Sequence, residues 1–233
     1  MNIALLGYGK MGKAIEKIAL ERGHTIVLKS KRNTTDLDLS TTDVAIDFSI
    51  PSTAVNNITT CLNNNTPIIS GTTGWLENYD DMVTLCNKKK GSFIYSSNFS
   101  LGVNVFFELN RYLAKMMSNL KQYHVSIKEI HHTQKLDAPS GTAISLAEDI
   151  VEYTEKTSWV TEKKEGEFEI PVHSKRINEV PGTHIIDYSS NVDSIKIEHV
   201  AHNRNGFALG AIIAAEWILN KKGVFKMKDV LNL

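Results

Sequence analysis

Over residues 1–97, short apolar runs rich in β-branched side chains alternate with stretches whose apolar positions recur every three or four residues. Residues 2–6, 25–28, 44–48, 67–70 and 93–95 have the length and composition of buried strands, and residues 11–21, 53–62 and 76–89 carry the helical period. Alternation of this kind predicts right-handed βαβ units and a parallel sheet covered on both faces. Between Leu28 and Val44 the chain is mostly polar and shows no helical period, which predicts a loop crossover there.

After Asn98 the pattern changes. A long helical repeat at residues 101–120 leads to a strand at 123–130, and alternation puts Val125, Ile127, Glu129 and His131 on one face, which turns from apolar to polar along its length. A helix at 142–153, a charged tract TEKKEGEFE read as a solvated loop or hairpin, and strands at 184–189 and 194–200 follow, and the chain closes with a helix at 207–220. The expected fold class is therefore α/β, a first domain on a parallel sheet plus an α+β central domain with a mostly antiparallel sheet.

Composition narrows the classes of function. The 233 residues are 42% hydrophobic, enough for substantial cores and without the polar bias of disorder. Lys plus Arg (26) equals Asp plus Glu (26), so no overall field selects nucleic acid or an anionic membrane as partner. Cys61 and Cys86 lack metal or redox spacing and read as buried thiols in a reducing compartment. The apolar run at the N-terminus is only about five residues long, too short for a signal or a membrane span, so a cytoplasmic location is expected.

Candidate chemistry begins at Gly7-Tyr8-Gly9-Lys10-Met11-Gly12, which follows the first strand and opens the first helix. In that setting GxGxxG is expected to be a dinucleotide turn, making the first domain a Rossmann-type dinucleotide-binding domain, and the competing reading is a packing turn. The first glycine permits the tight turn, the second lets backbone approach a pyrophosphate, and the third allows close helix packing. Where an NAD site usually carries a carboxylate, the second strand runs into Lys29-Ser30-Lys31-Arg32. Lys31 and Arg32 would welcome the 2′-phosphate of NADPH, and the competing reading is a solvated surface turn. Gly71-Thr72-Thr73-Gly74 and Ser96-Ser97-Asn98-Phe99 fall at later strand ends on the cofactor side, so Gly71, Thr72, Thr73, Ser96, Ser97, Asn98 and Phe99 join the candidates.

The segment EIHHTQKLDAPSGTA, residues 129–143, holds the densest chemistry. Adjacent strand residues point to opposite faces and helical zinc pairs need a spacing of four, so His131 and His132, lacking a third ligand, argue against a metal site. Ser140 reads as an N-cap, and a glycine in the first turn leaves backbone N–H groups uncovered, which suits a carboxylate or phosphate. His131, His132 and Lys135 add positive charge just upstream.

This segment resembles the E-x-HH-x-x-K-x-DAPSGTA signature of the dihydrodipicolinate reductase family. The resemblance extends through GYGKMG, Asp47-Phe48-Ser49, Gly71-Thr72-Thr73-Gly74, residues 98–104, Val172-His173-Ser174 and residues 199–217, and so covers nearly the whole chain. It implies a nucleotide domain from residues 1–99 with 203–233, and a substrate-binding and oligomerisation domain from 100–202. It further implies His131 as proton donor, Lys135 as an assisting acid, and His132, Ser140, Gly141 and Thr142 as the groups holding the substrate carboxylates. The implied activity is NAD(P)H-dependent reduction of 4-hydroxy-tetrahydrodipicolinate in diaminopimelate and lysine biosynthesis, by a homotetramer. Three departures stand out. The glycine turn is one residue short with Lys10 at the arginine position, residues 175–182 replace Val-Arg-Gly-Gly, and the connections at 32–43 and 155–169 are short. The alternatives are another Rossmann-type oxidoreductase, such as an amino-acid dehydrogenase, or a nucleotide sensor without catalysis. The sensor would be expected to lose His131 or Lys135, and both are present.

Overall fold

The computed structural model describes residues 1–31, 37–161, 166–203 and 205–233. The chain forms two compact units, Met1–Leu101 with Asn205–Leu233, and Gly102–Arg204.

In unit 1 the strands are β1 (Asn2–Leu6), β2 (Thr25–Ser30), β3 (Val44–Asp47), β4 (Ile68–Ser70), β5 (Ser92–Tyr95) and, beyond unit 2 in sequence, β11 (Gly223–Phe225). Every pairing is parallel, in the order β11-β5-β4-β3-β1-β2. Successive residues of β1 face opposite sides, as the strand pleat demands. Ile3 and Leu5 pack under α1 (Lys10–Glu21), α6 (Asn205–Ile218) and α7 (Met227–Leu231). Ala4 and Leu6 pack under α2 (Pro51–Asn63) and α3 (Tyr79–Lys89). Because β1 is flanked by β2 and β3, the order reverses beside β1, and the carboxyl end of that strand is where such sheets bind ligands. Residues 31 and 37–43, the described part of the connection from β2 to β3, contain no helix, as its polar composition predicts.

In unit 2, α4 (Leu101–Met117) and α5 (Gly141–Tyr153) cover one face of a five-stranded sheet. Its strands are β6 (His124–His131), β7 (Ser158–Thr161), β8 (Glu169–Arg176), β9 (Gly182–Ser189) and β10 (Ser194–Ala201), in the order β10-β9-β6-β8-β7. The sheet is mixed, which corrects the expectation of a mostly antiparallel one. β9 runs antiparallel to β6 and to β10, but β8 is parallel to both β6 and β7. The crossover through α5 brings β7 in running the same way as β6, and β8 is then inserted between the two, parallel to both. The charged tract had obscured β7 and β8, and of its residues 162–165 lie outside the described ones. Cys61 and Cys86 are buried free thiols, each with its pKa pushed up by burial. No helix among the described residues is long and apolar enough to cross a membrane.

Candidate active site

The glycine turn of unit 1 begins at Gly7, whose φ of +98° lies in the region that disfavours side chains. A Cβ at Gly7 would also collide with the Phe48 carbonyl, so the close approach of the β1 and β3 ends requires glycine. Gly9 has open space where a side chain would be, and α1 starts there without a side-chain cap, leaving its first N–H groups available to an anion. Gly12 is buried against the Gly7 carbonyl, the packing role expected of the third glycine.

These residues open onto a cavity of about 310 Å³ lined by Gly7, Tyr8, Gly9, Ser30, Lys31, Phe48, Ser49, Ile50, Thr53 and Asn57. Four of the sequence candidates, Gly7, Tyr8, Gly9 and Lys31, therefore line one cavity, and Arg32 lies outside the described residues. A small-residue cradle at an unprotected helix start fits the phosphates of a dinucleotide. Lys29 is tied elsewhere, with its Nζ 2.5 Å from Glu16 Oε1 and over the Tyr8 ring, whose hydroxyl donates to Glu16.

Lys10, Met11, Gly71, Thr72, Thr73, Ser96, Ser97, Asn98 and Phe99 are not among the residues that line this cavity. Thr72 nevertheless shapes its wall, accepting from Ser49 N at 2.8 Å and donating to Asp47 at 2.8 Å. Asp47 is fully buried and also accepts from Ser70 at 2.9 Å and Asn57 at 2.9 Å. Burial pushes its pKa up against the pull of these donors, and the network clamps the ends of β3 and β4 together. Phe99 is buried with its ring 5.7 Å from that of Phe48, a packing position, and Ser96 Oγ donates to Asn98 O at 2.7 Å within its own turn. Phe48 and Ser49 belong to a tract already singled out by resemblance. Ile50, Thr53 and Asn57 carry no motif and reach the cavity because α2 starts at Pro51.

In unit 2, β6 delivers Glu129 and His131 to the face covered by α4 and α5, as alternation predicts. His131 is buried and its Nδ1 is hydrogen-bonded to Glu129 Oε2. Glu129 is fully buried, with Arg176 Nη1 2.9 Å from its other oxygen in an ion pair. Burial alone would raise Glu129, but the contacts from His131, Ser174 and Arg176 outweigh it and hold the carboxyl down at about 2. The same guanidinium donates to the carbonyls of Lys135 at 3.3 Å and Asp137 at 2.6 Å. Lys135 reaches both carboxylate oxygens of Asp137, at 2.8 and 2.7 Å.

His184 stands opposite Glu129 in the β6–β9 register, and its ring meets that of His131 edge-on at 5.1 Å. Its Nε2 lies 3.1 Å from Ser140 Oγ, which also accepts from Ala143 N at 3.2 Å as the N-cap of α5. Burial, reinforced by the charge of neighbouring His131, pulls His184 down to about 3, so it is neutral at ordinary pH. Gly141 is exposed with open space at its Cβ position, and Thr142 and His132 are half-buried. His131 is thereby linked through His184 and Ser140 to the uncovered first turn of α5. Sequence reasoning assigned no role to Glu129, Asp137, Arg176 or His184. An inward-facing histidine in an apolar strand was the available signal for His184, whereas Arg176 sat in the tract marked as a departure.

Ligand atoms of Glu129, His131 and His184 lie within 4.8 Å of one another, so the third group that sequence reasoning found missing for a metal is present. The carboxylate is already committed to His131 and Arg176, however, and a guanidinium 2.9 Å from it opposes a further cation.

Residues 1–99 match the family model for the dihydrodipicolinate reductase N-terminus, and residues 102–231 match that for its C-terminus. The chain is 54% identical over its whole length to a 4-hydroxy-tetrahydrodipicolinate reductase of Christiangramia forsetii, covering 98% of that protein. It is 35% identical, again over its whole length, to one from Thermosipho africanus, of which it also covers 98%. Among solved structures, the dipicolinate-bound dihydrodipicolinate reductase of Paenisporosarcina sp. TG-14 shares the fold, with a TM-score of 0.77 at 24% identity and 97% of each chain covered.

Proposed function

The chain belongs to the dihydrodipicolinate reductase family, and from that premise we propose how its residues carry out the nicotinamide-dependent reduction of 4-hydroxy-tetrahydrodipicolinate to tetrahydrodipicolinate, a step of diaminopimelate and lysine biosynthesis. The net reaction expels water from the ring and adds one hydride and one proton. Reduced nicotinamide, when bound, supplies the hydride.

Unit 1 is the nucleotide-binding unit in this reading. Gly7, Tyr8, Gly9, Lys10, Met11 and Gly12 hold the pyrophosphate against the start of α1, and Gly71, Thr72, Thr73, Ser96, Ser97, Asn98 and Phe99 form or brace the remaining cofactor side. Lys31 with Arg32 sets a preference for NADPH by pairing with its 2′-phosphate.

Unit 2 takes the ring. His131 donates the proton from Nε2, and Lys135 assists as a second acid while its charge favours a dianionic substrate. His132, Ser140, Gly141 and Thr142 hold the carboxylates. The observation that carries this reading is the linkage of a buried imidazole to an uncovered helix start through His184 and Ser140. A planar ring dicarboxylate of the kind bound by the Paenisporosarcina relative needs such anion-binding groups beside the acid. On the same reading the enzyme works in the cytoplasm as a homotetramer assembled through unit 2, whose α4 exposes Val105, Leu109, Tyr112 and Met116.

The test follows reduced-nicotinamide absorbance while a dihydrodipicolinate synthase generates the substrate in place from pyruvate and aspartate semialdehyde. Oxidation is expected with NADPH ahead of NADH, and Lys31→Glu should weaken NADPH alone. His131→Gln or Lys135→Ala should lower kcat by roughly 10²- to 10⁴-fold with nucleotide affinity kept. Equal effects of Lys31→Glu on both cofactors would remove it from the 2′-phosphate site, and full turnover in both acid variants would remove their assigned roles.

A further inference from the structure

The buried carboxylate behind His131 and the half-buried guanidinium paired with it take no direct part in the reaction described above, yet burying that carboxylate is costly unless it is paired. Glu129 spends one oxygen on His131 Nδ1 and the other on Arg176. Arg176 Nη1 also donates to the Lys175 carbonyl, while its Nε and Nη2 bond the carbonyls of Lys135 and Asp137 on the backbone that carries Lys135. Three strands converge on this point. Glu129 is in register with Ser174 of β8 and His184 of β9, and His131 with Arg176 itself. The His131 carbonyl is pinned by Ile177 N at 2.8 Å. On the other side of the imidazole, a Cβ at Gly182 would stand 3.0 Å from Nε2, so glycine keeps a side chain from pressing on that nitrogen.

We propose that Glu129 and Arg176 are positioning residues, Glu129 dictating which nitrogen of His131 gives up the proton and Arg176 holding both acids in one frame. The inference rests on the assignment of His131 and Lys135 as acids. An ionised carboxylate can only accept, so Nδ1 must carry a proton at all times and Nε2 is the nitrogen that donates. After transfer the ring is left as the Nδ1–H tautomer, which the carboxylate continues to bind. Arg176 keeps Glu129 ionised and supports the Lys135 backbone, so displacement of this one guanidinium loosens both acids. His184, neutral and edge-on to the ring, adds no competing charge.

Glu129→Gln retains shape and removes the charge. Its kcat is expected to fall roughly 10- to 100-fold, with NADPH affinity and the KM for the ring substrate within about twofold of wild type. A kcat within twofold of wild type would overturn the proposal. In a double-mutant cycle, adding Glu129→Gln to His131→Gln should cost nothing further, because the carboxylate acts through the imidazole. Losses that multiply would assign Glu129 a structural role instead. If His131→Gln alone leaves kcat intact, the acid assignment itself has failed, a result distinct from failure of the positioning role. A separate measurement uses the wild-type protein with ¹⁵N-labelled histidine. Neutral His131 should show a protonated Nδ1 and a bare Nε2, and the opposite tautomer would overturn the proposal even if Glu129→Gln does not fold. Arg176→Lys, which keeps charge but loses the fork, should both lower kcat and raise the KM for the ring substrate with NADPH affinity unchanged. Wild-type kinetics in that variant would overturn the part assigned to Arg176.

Discussion

His184 shows how one buried side chain couples the site to stability. Its ordinary pKa of 6.5 falls to about 3 in the folded chain because burial, first, and the neighbouring His131, second, oppose its charge. Below pH 6.5 the unfolded chain takes up a proton that the folded chain refuses until about pH 3, so protons favour unfolding and stability rises with pH across that window. Glu129, ordinarily 4.5 and here about 2, gives a slope of the same sign only at lower pH. Between 6.5 and 4.5 His184, with His199 also lowered by burial adding in the same direction, works against Asp47 and Asp149, whose carboxyls burial raises and which give the opposite sign. In urea titrations across this interval, His184→Gln should remove up to roughly 1.4 kcal/mol per pH unit of the part of the slope that rises with pH. An unchanged slope in that variant would mean that His184 is charged in the folded protein. The sequence showed this histidine only as one polar letter in an apolar strand, since its pairing with Glu129 depends on the register between β6 and β9.

At the level of elements, the turn from β1 into α1 was legible because its requirements are local. Positive φ at Gly7, open space at Gly9 and close packing at Gly12 follow from backbone sterics within six residues. Gly7→Ala places a Cβ both in a disfavoured conformation and against the Phe48 carbonyl. Thermal unfolding should show a loss of about 1–3 kcal/mol, and NADPH titration should show weakened binding. An alanine variant with wild-type stability and affinity would mean that the turn relaxes without cost. The central sheet was less legible. Strands β7 and β8 adjoin a charged tract, and the insertion of β8 between β6 and β7, parallel to both, is set by pairing between distant segments that no local pattern encodes.

For the whole molecule, α4 leaves Val105, Leu109, Tyr112 and Met116 between 42% and 65% exposed at spacings of four, three and four, an apolar stripe on one helix face. If the homotetramer is built through unit 2, sedimentation should give a tetramer for the wild type and smaller species for Leu109→Glu with Tyr112→Glu. A variant that stays tetrameric would place the contacts elsewhere. What the sequence determined by itself was whatever depends on neighbours along the chain: the βα alternation of unit 1, the glycine turn, the capped start of α5 at Ser140, and the inward face of β6 that carries Glu129 and His131. Tertiary structure alone decided the mixed order of the second sheet, the cavity wall contributed by the start of α2, and the gathering of Glu129, Arg176 and His184 around His131. The physical reason is the same in each case. Strand register and crossover direction are set by packing between segments far apart in sequence, and a buried charge reveals its partner only once those segments have met.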